Sequence, residues 1–274
     1  VEVETSTEIW TAEDLNNVRT GLNNEYIQTA DIDLSDYNWD SIGGSRNPFT
    51  GVYDGGGYRI LNLTIEREGT ADVGLFAGLS GGVIKNVGIE NANIVGGSNA
   101  GGIVAQLVTS GLIENCYISG DIRGTFNVGL IVGQMRTSAA EPGNRIMNSY
   151  AVGSVIGEYN LGGAIGLAVA GEVTNSYAVA YLDGDRDIGG LIGGNAVAAE
   201  VTSSYWDTNA SGTAISQGGT GLTTEQMIQQ ASFVGWNFRG TWLIQGGESY
   251  PYLDWQREPA AHNFPSEEGL PSNL

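Results

Sequence analysis

The fold is decided by VGLFAG at 73–78 and by four later segments of the same kind, which are AGGIVA at 100–105, VGLIVG at 128–133, LGGAIG at 161–166 and IGGLIG at 188–193. Their last residues lie at 78, 105, 133, 166 and 193, so the successive spacings are 27, 28, 33 and 27 residues. A unit of that length is too small to bury its own apolar face, and it must stack against its neighbours. The spacing therefore predicts a solenoid.

A second set of segments recurs in phase with the first, namely VIKNVGI at 83–89, LIENCYI at 112–118, RIMNSYA at 145–151, EVTNSYA at 172–178 and EVTSSYW at 200–206. One slot in this set holds asparagine, and Ser203 takes it in the last segment. YRILNLTI at 58–65 places Asn62 in the same slot. Asparagine tolerates a left-handed backbone and can bond its counterpart one coil away. We therefore predict a structural ladder of Asn62, Asn86, Asn115, Asn148 and Asn175.

The repeated segments have the character of strands. Each is a short apolar run rich in Val, Ile and Gly, with some alternation and with Gly, Asn or Ser at its ends. Glycine inside so short a run weighs against helix. We predict an all-β fold, a right-handed parallel β-helix (solenoid) of about 27-residue coils. The longest interval contains RTSAAEPGNR at 136–145, which reads as a loop thrown out of one coil.

The ends of the chain predict its domain boundaries. Thr11 and Asp14 form a capping-box pattern at the start of a short helix, and a second helix begins near Thr223 or Thr224. We predict one β-helix domain over 1–255, with an N-terminal cap at 1–48, stacked coils at 49–213 and a C-terminal helix and aromatic cap at 214–255. Residues 256–274 are proline-marked and predict an extended tail or linker.

Composition restricts the partners and the location. Eleven Lys and Arg residues stand against 31 Asp and Glu, for a formal charge of −20. Such a surface repels nucleic acid, and no apolar run approaches the roughly 20 residues of a membrane span. We therefore expect neither a nucleic-acid partner nor membrane insertion. The chain starts at Val1, which either a cleaved secretion signal or trimming explains, and we expect a secreted or cell-surface protein.

The chain resembles bacterial surface proteins with GLUG repeats, which are adhesin-like β-helix proteins of the filamentous-haemagglutinin type. The motif is present as GLIG at 190–193 and loosely as GAIG at 163–166. The resemblance extends from about Ile9 to Leu253 and includes FTGVYDGGGYRILNLTI and SYWDTNASGT. It implies a scaffold in a large secreted protein and transfers no catalytic residues.

Residues suited to catalysis or metal binding are few. His262 and Cys116 are single, so zinc sites rich in His or Cys are excluded, and we predict no catalytic residues and no cofactor apart from calcium. The alternating carboxylates Asp183, Asp185 and Asp187 are the leading calcium candidates, although the segment lacks the glycine and glutamate of an EF-hand. A second acidic cluster contains Asp31, Asp33, Asp36 and Asp40. For both clusters the alternative is a solvated edge.

Four tyrosines share one repeat position, two residues after the asparagine slot: Tyr117, Tyr150, Tyr177 and Tyr205. If the residues between slot and tyrosine (such as Cys116) point inward, the tyrosines point outward and stack at the coil spacing of about 4.8 Å. An exposed stripe of rings can bind sugars, whose apolar faces pack on aromatic rings. The alternative is a stack that stabilises the rod or contacts another chain.

These observations favour an extracellular structural or adhesive module that presents a rigid surface to glycans or neighbouring proteins, including copies of itself. The alternative is a polysaccharide lyase or glycoside hydrolase on the same scaffold. Such an enzyme needs carboxylates or a basic residue in a groove. Arg123, Arg186, Asp121 and Asp183 could supply a mixed patch of that kind.

Overall fold

A computed structural model of the protein describes residues 6–136, 143–194 and 198–256. Most of the predicted loop at 136–145, almost all of the predicted tail, and His262 lie outside these residues. The described chain is an all-β solenoid of mostly parallel strands, with about six turns and about 28 residues per turn. The predicted fold class is confirmed.

Each coil in the middle of the described chain has four short strands, here called positions one to four. In the coil that contains Tyr117 they are Leu112–Glu114, Tyr117–Arg123, Phe126–Gly129 and Val132–Met135. Strands at the same position pair in parallel between coils, with tyrosine opposite tyrosine at 117, 150, 177 and 205. The repeat spacing of the sequence is therefore the register of the sheets.

The remaining strands follow this scheme. The other position-one strands are Arg145–Met147, Ala170–Thr174 and Ala198–Thr202. The other position-two strands are Tyr150–Ile156, Tyr177–Asp183, Tyr205–Asp207 and Thr220–Leu222. Position three also has Ala100–Gly101, Tyr159–Gly162 and Arg186–Gly189, and position four also has Phe76–Ser80, Val104–Thr109, Ile165–Ala168 and Ile192–Gly194. In earlier coils, Val52–Leu61 and Val83–Val95 each span positions one and two, and Thr64–Glu66 pairs with the second of them.

The bend between positions one and two is made by left-handed residues. Asn86, Asn115, Asn148 and Asn175 have φ between 47° and 53°, and Ser203 has φ 44°. The Nδ2 atom of Asn115 donates to Oδ1 of Asn86 at 3.3 Å, and Asn175 donates in the same way to Asn148 at 3.3 Å. A left-handed backbone costs asparagine less than most residues, because its short polar side chain can hydrogen-bond locally.

The predicted place of Asn62 is wrong. Its backbone N–H donates to Glu90 O, and its Oδ1 accepts from Asn91 at 3.4 Å, whereas Asn86 donates to Asp54 instead. Asn62 therefore belongs to a neighbouring ladder that begins at Asp33. The early coil has a register shift between Asp54 and Tyr58, so counting from the apolar pattern alone placed Asn62 one bend too early.

A further asparagine ladder lies at the start of position three. Asp72, Asn99, Asn127 and Asn160 all have φ between 54° and 61°. Each Nδ2 donates to the Oδ1 of the preceding coil at 2.7–2.8 Å. Asp187, with φ 55°, follows in the next coil. This ladder was not among the sequence-based predictions, although its residues recur at the 27-to-33-residue spacing of the glycine segments.

The recurrent glycines turn the chain from position three to position four. A Cβ atom at Gly162 would lie 1.9 Å from Ile165 O, and one at Gly189 would lie 1.9 Å from Ile192 O. Real Cβ atoms do not approach oxygen so closely, so the corner requires glycine. This requirement explains why glycine is the second residue of the repeated segments that decide the fold.

Both ends contain the predicted helix starts. The N-terminal α-helix is Ala12–Asn17, and Thr11 and Asp14 form its capping box. The later helices are Thr208–Ser211 and Thr224–Met227, and Thr223 caps the second of these with Gln226. The 3-10 helices are Val18–Thr20 and Gln230–Ser232. Within the described ranges, no helix has the length and apolar character that a membrane crossing requires.

The predicted terminal regions take part in more than capping. Strands Thr7–Ile9, Glu25–Gln28 and Ile32–Asp33 already stack in the parallel sheet. At the other end, Trp242–Leu243 pairs antiparallel with Tyr252–Leu253. These two strands belong to residues 233–256, here called the C-terminal strap, which lies along the side of the solenoid and not only at its end.

Candidate functional site

The four repeat tyrosines lie on the outer side of position two, and the rings of the first three form a stacked ladder. The rings of Tyr117 and Tyr150 are 5.2 Å apart and 8° from parallel, and those of Tyr150 and Tyr177 are 5.0 Å apart and 1° from parallel. They belong to an apolar cluster separate from the interior of the coils, which holds the neighbouring Cys116. The inward and outward assignment made from the sequence agrees with this arrangement.

The expected exposure of these tyrosines is wrong. They are only 0–7% exposed, because the C-terminal strap covers them. Phe233, Trp236 and Trp242 pack against the ladder, and the Tyr150 hydroxyl and Gln256 exchange hydrogen bonds at 2.8–3.0 Å. The stripe is a docking surface for the chain's own C-terminal segment.

Stacking itself also removes the ladder as a sugar platform. Sugars pack on the face of a ring, and both faces of Tyr150 are occupied by the rings of Tyr117 and Tyr177. Burial raises the pKa of Tyr177 well above its ordinary value. Burial and the hydrogen bond to Glu90 raise the pKa of Tyr117. Tyr117 and Tyr177 are therefore neutral packing elements at physiological pH.

The structure does not gather the acidic clusters into metal sites. Asp183, Asp185 and Asp187 are exposed, and no group of three or more His, Cys, Asp or Glu side chains suited to a metal ion occurs within 6–136, 143–194 and 198–256. In the second cluster, Asp31 pairs with Arg59 and Asp33 accepts from Asn62. Calcium binding at Asp183, Asp185 and Asp187 stays a prediction.

A pocket lies where the end of the strap meets the early coils. It has a volume of about 400 Å³, within the range of small-molecule sites. Its wall includes Thr29, Ala30 and Gly57. The side chains that give it character are Asp31, Tyr58, Arg59, Glu90, Tyr117, Trp255 and Gln256.

A charged network fixes the polar side of this pocket. Arg59 donates to Asp31 Oδ2 from Nη2 at 2.7 Å and from Nε at 3.1 Å, and its Nη1 lies 3.3 Å from Glu90 Oε2. The Tyr117 hydroxyl donates to Glu90 Oε1 at 2.6 Å. The hydrogen bonds to Asp31 and the charge of Glu90 hold the pKa of Arg59 above its ordinary value. Donors and acceptors are thus fixed side by side.

Aromatic rings form the other side. Tyr58 is 38% exposed, and the Trp255 ring lies 5.5 Å from that of Tyr117. Gly57 has φ +79°, a backbone bend that favours glycine, and a Cβ there would make only an ordinary contact with the Trp255 indole at 3.6 Å. The Trp255 Nε1 atom is buried and has no hydrogen-bond partner among the residues that the structure describes. The pocket therefore combines apolar ring surface with a row of fixed polar groups.

This pocket was not predicted from the sequence, because its residues come from five separate stretches of chain. The charged side of the pocket nevertheless leaves a pattern in the sequence. Asp31, Arg59 and Glu90 are separated by 28 and 31 residues, close to one coil each, so they alternate in charge on adjacent coils. Trp255 could not have been placed, because nothing in the repeat indicates where the strap lies.

No protein-family model matches the chain. One stretch resembles halomucin. Over 132 residues the chain is 35% identical to halomucin from Haloquadratum walsbyi (strain DSM 16790 / HBSQ001). The matched stretch covers 43% of this chain and 1% of halomucin. The chain thus corresponds to a very small part of the relative.

Two solved structures share the fold. A Bacteroides ovatus protein, provisionally described as an immunoglobulin A1 protease, superposes with a TM-score of 0.63 at 23% identity, over 93% of this chain and 94% of that one. A structure described as IgA1 protease superposes with a TM-score of 0.51 at 13% identity, over 76% of this chain and 20% of that one. At these identities the comparison shows the solenoid fold alone.

Proposed function

We propose that this chain is a non-catalytic module of an extracellular surface protein and that it binds glycans in the pocket between Tyr58 and Trp255. The observation that carries the proposal is the combination of partly exposed ring surface with the fixed Asp31–Arg59–Glu90 row. The predicted adhesive role is kept, and the binding surface moves from the buried tyrosine ladder to this pocket.

The chemistry of a sugar matches both sides of the pocket. A sugar ring has an apolar face that packs on an aromatic ring, and hydroxyls at its rim that both donate and accept. Carboxylate oxygens accept from such hydroxyls, and free guanidinium N–H groups donate to them. Because the ion pairs already hold these groups in place, little side-chain entropy is lost on binding.

The surface location rests on independent support. The stretch similar to halomucin favours a surface protein, and a formal charge of −20 suits a salty exterior. Secretion or display on the cell surface is therefore part of the proposal.

Geometry favours binding over polysaccharide cleavage. A glycosidase holds its two carboxyl groups about 5–9.5 Å apart, with the sugar between them. In this pocket the guanidinium of Arg59 lies between Asp31 and Glu90 and pairs with both. The two carboxylates are thus committed to a protein cation, and we assign them to positioning and hydrogen bonding.

The test is a glycan array followed by titration of the best ligand into Tyr58→Ala and Tyr37→Ala. Tyr37 is 41% exposed and lies outside the pocket, so it matches the 38% exposure of Tyr58. We expect Tyr58→Ala to weaken binding by at least about tenfold, the effect of losing about 1.4 kcal/mol of ring contact. Tyr37→Ala should bind as tightly as the unmodified chain does. In both variants the free energy of unfolding should change by no more than about 0.5 kcal/mol, as is usual for surface substitutions.

Two results would overturn the proposal. Equal binding by the two variants would remove the pocket from the interaction. Release of shortened oligosaccharides by the unmodified chain, seen by chromatography, would establish the enzyme alternative instead.

A further inference from the structure

We infer that a second cleft binds the carboxylate or sulfate group of an acidic sugar. It is distinct from the pocket between Tyr58 and Trp255, which is here called the aromatic pocket. The cleft has a volume of about 690 Å³ and lies between the first helical turns and the coil that contains Asp72. Arg19, Arg46 and Arg67 line it. None of its lining residues is shared with the aromatic pocket, so the inference does not depend on the proposed function of that pocket.

The formal charge of this cleft is opposite in sign to that of the whole molecule. The chain has only 11 cationic residues and a formal charge of −20, yet three guanidinium groups line one cleft. The carboxylates in the lining are Asp40 and Asp72, which leaves the cleft with a positive formal charge. On so acidic a surface, a positive cleft selects anions at short range.

Arg19 is held rigid with donors to spare. Its Nε donates to Asn16 O at 2.9 Å and its Nη2 donates to Asp40 O at 2.8 Å. Its guanidinium carbon also lies 5.7 Å from the Trp39 ring centroid. A guanidinium has five N–H donors, and these bonds together with a 3.5 Å contact to Ser41 O use at most three of them. At least two donors of a fixed planar group therefore remain for a ligand.

The other two arginines lack ion-pair partners. Neither Arg46 nor Arg67 has a carboxylate within 4.0 Å among the described residues, whereas Arg19, Arg59 and Lys85 do. Within the described ranges, the Arg67 side chain donates to Glu66 O alone, at 3.2 Å, and Arg46 is exposed. Two guanidinium groups without ion pairs therefore lie in the same cleft as the fixed guanidinium of Arg19, and all three can donate hydrogen bonds to a bound anion.

The two carboxylates in the lining of the cleft do not act as the anion that the arginines could bind. Asp72 Oδ1 accepts from Asn99 at 2.8 Å and from Gln106 at 2.5 Å, so it is committed to the asparagine ladder. The Asp40 Oδ2 atom is 4.0 Å from Arg19 Nη1, too far for a hydrogen bond, and the side chain is 78% exposed. The positive groups of the cleft are thus incompletely neutralised from within.

The ligand class follows from the donors and from the surrounding charge. Guanidinium groups recognise planar carboxylates and tetrahedral sulfates through paired hydrogen bonds. A long polyanion would be repelled by the rest of the surface, so a short oligosaccharide with few acidic groups fits best.

The experiment compares two double variants that remove the same charge. Arg46→Gln/Arg67→Gln changes the cleft, and Arg145→Gln/Arg239→Gln changes one half-buried and one exposed arginine elsewhere, which match Arg67 and Arg46 in exposure. Isothermal titration would use trigalacturonate as the carboxylate probe, sulfated maltotriose as the sulfate probe and maltotriose as the neutral probe. Thermal melts of both variants would show that the fold is kept.

We expect the unmodified chain to bind at least one anionic probe, more weakly as salt rises, and maltotriose not at all at this cleft. The cleft variant should lose at least about tenfold in affinity, and the control variant less than about twofold. The stronger of the two anionic probes identifies the group. Absence of binding by both, or an equal loss in the two variants, would overturn the inference. Since the variants leave Tyr58 unchanged, that failure would not affect the aromatic pocket.

Discussion

At the scale of single residues, the small side chains beside the asparagine bend do more than fill space. The Ser149 N–H donates to Ser176 Oγ at 3.2 Å, and the Ser176 N–H donates to Ser204 Oγ at 3.2 Å. Each hydroxyl in turn donates to the carbonyl two residues before it, at 2.8–2.9 Å. A buried hydroxyl therefore replaces a backbone acceptor that the bend removes from the ladder.

Cys116 occupies the same slot and behaves in the same way. Its Sγ lies 3.2 Å from Glu114 O, and burial raises its pKa to about 12. A thiol of that kind is almost entirely protonated at neutral pH and is a poor nucleophile. The sequence-based interpretation of Cys116 as a small core residue agrees with this.

We predict that Ser176→Ala destabilises the fold by about 1–3 kcal/mol, because it leaves the buried N–H of Ser149 without an acceptor. Urea unfolding followed by circular dichroism would measure the loss. Ser35→Ala, at an exposed position, should change the free energy of unfolding by no more than about 0.5 kcal/mol. Equal effects of the two substitutions would contradict a bonding role for the slot.

At the scale of elements, the C-terminal strap is the feature that most affects the surface. Trp242 is fully buried and contacts the rings of Tyr150, Tyr177 and Trp236. The Trp236 Nε1 donates to Ser203 O at 2.7 Å, and the Tyr205 hydroxyl accepts from Val234 N at 3.2 Å. Aromatic packing and hydrogen bonds together fix the strap to the ladder.

We predict that Trp242→Ala costs about 3–5 kcal/mol, as large-to-small changes of a buried tryptophan do. Because coils contact mainly their neighbours, the loss should concentrate in the strap. Its amides should exchange hydrogen faster, while the amides of 112–135 and 145–183 stay protected. Mass spectrometry of exchanged peptides would show this. Trp10→Ala, at a residue 56% exposed, is the control, and uniform loss of protection across the coils would contradict a separable strap.

Elements that repeat were predictable and elements that dock were not. Strand positions, inward serines and the asparagine bends from Asn86 to Asn175 follow from a fixed spacing, because stacked coils require the same residue at the same corner. The register shift before Tyr58 disturbed that spacing and displaced Asn62. The strap has no periodicity, and its contacts with the tyrosines depend on tertiary packing that a repeat does not encode.

At the scale of the whole molecule, unbalanced negative charge dominates. The described ion pairs involve Arg19, Arg59 and Lys85, against 31 carboxylates in the sequence. Since the interior of the coils is apolar, most of this charge lies on the surface and repels itself. The repulsion opposes the compact state, and mobile ions weaken it.

We predict that raising NaCl from about 0.1 M to 1 M, which shortens the screening length from about 10 Å to 3 Å, raises the melting temperature. A gain of 1 kcal/mol corresponds to about 2–4 °C in a domain of 150–250 residues. Calorimetry would measure the shift. A flat response would show that surface repulsion does not limit stability.

Calcium chloride at matched ionic strength separates screening from a specific site. A specific site would make calcium raise the melting temperature more than sodium does. This extra rise should disappear in Asp183→Asn/Asp185→Asn/Asp187→Asn and persist in Asp36→Asn/Glu66→Gln/Glu68→Gln, which would locate calcium at Asp183, Asp185 and Asp187. The two triple variants remove equal charge from exposed positions. Identical sodium and calcium curves would exclude a specific site there.

The strap also determines when this protein finishes folding. Tyr150 and its hydrogen-bond partner Gln256 are 106 residues apart, a length that a ribosome adds in about 5–20 s. The coils need only their neighbours and can form while synthesis continues. The ring-bearing face cannot be covered until the last part of the strap emerges, so every nascent chain passes through an interval with bare stacked tyrosines. A chain that stalls before Trp242 keeps that face open to whichever aromatic surface it meets first.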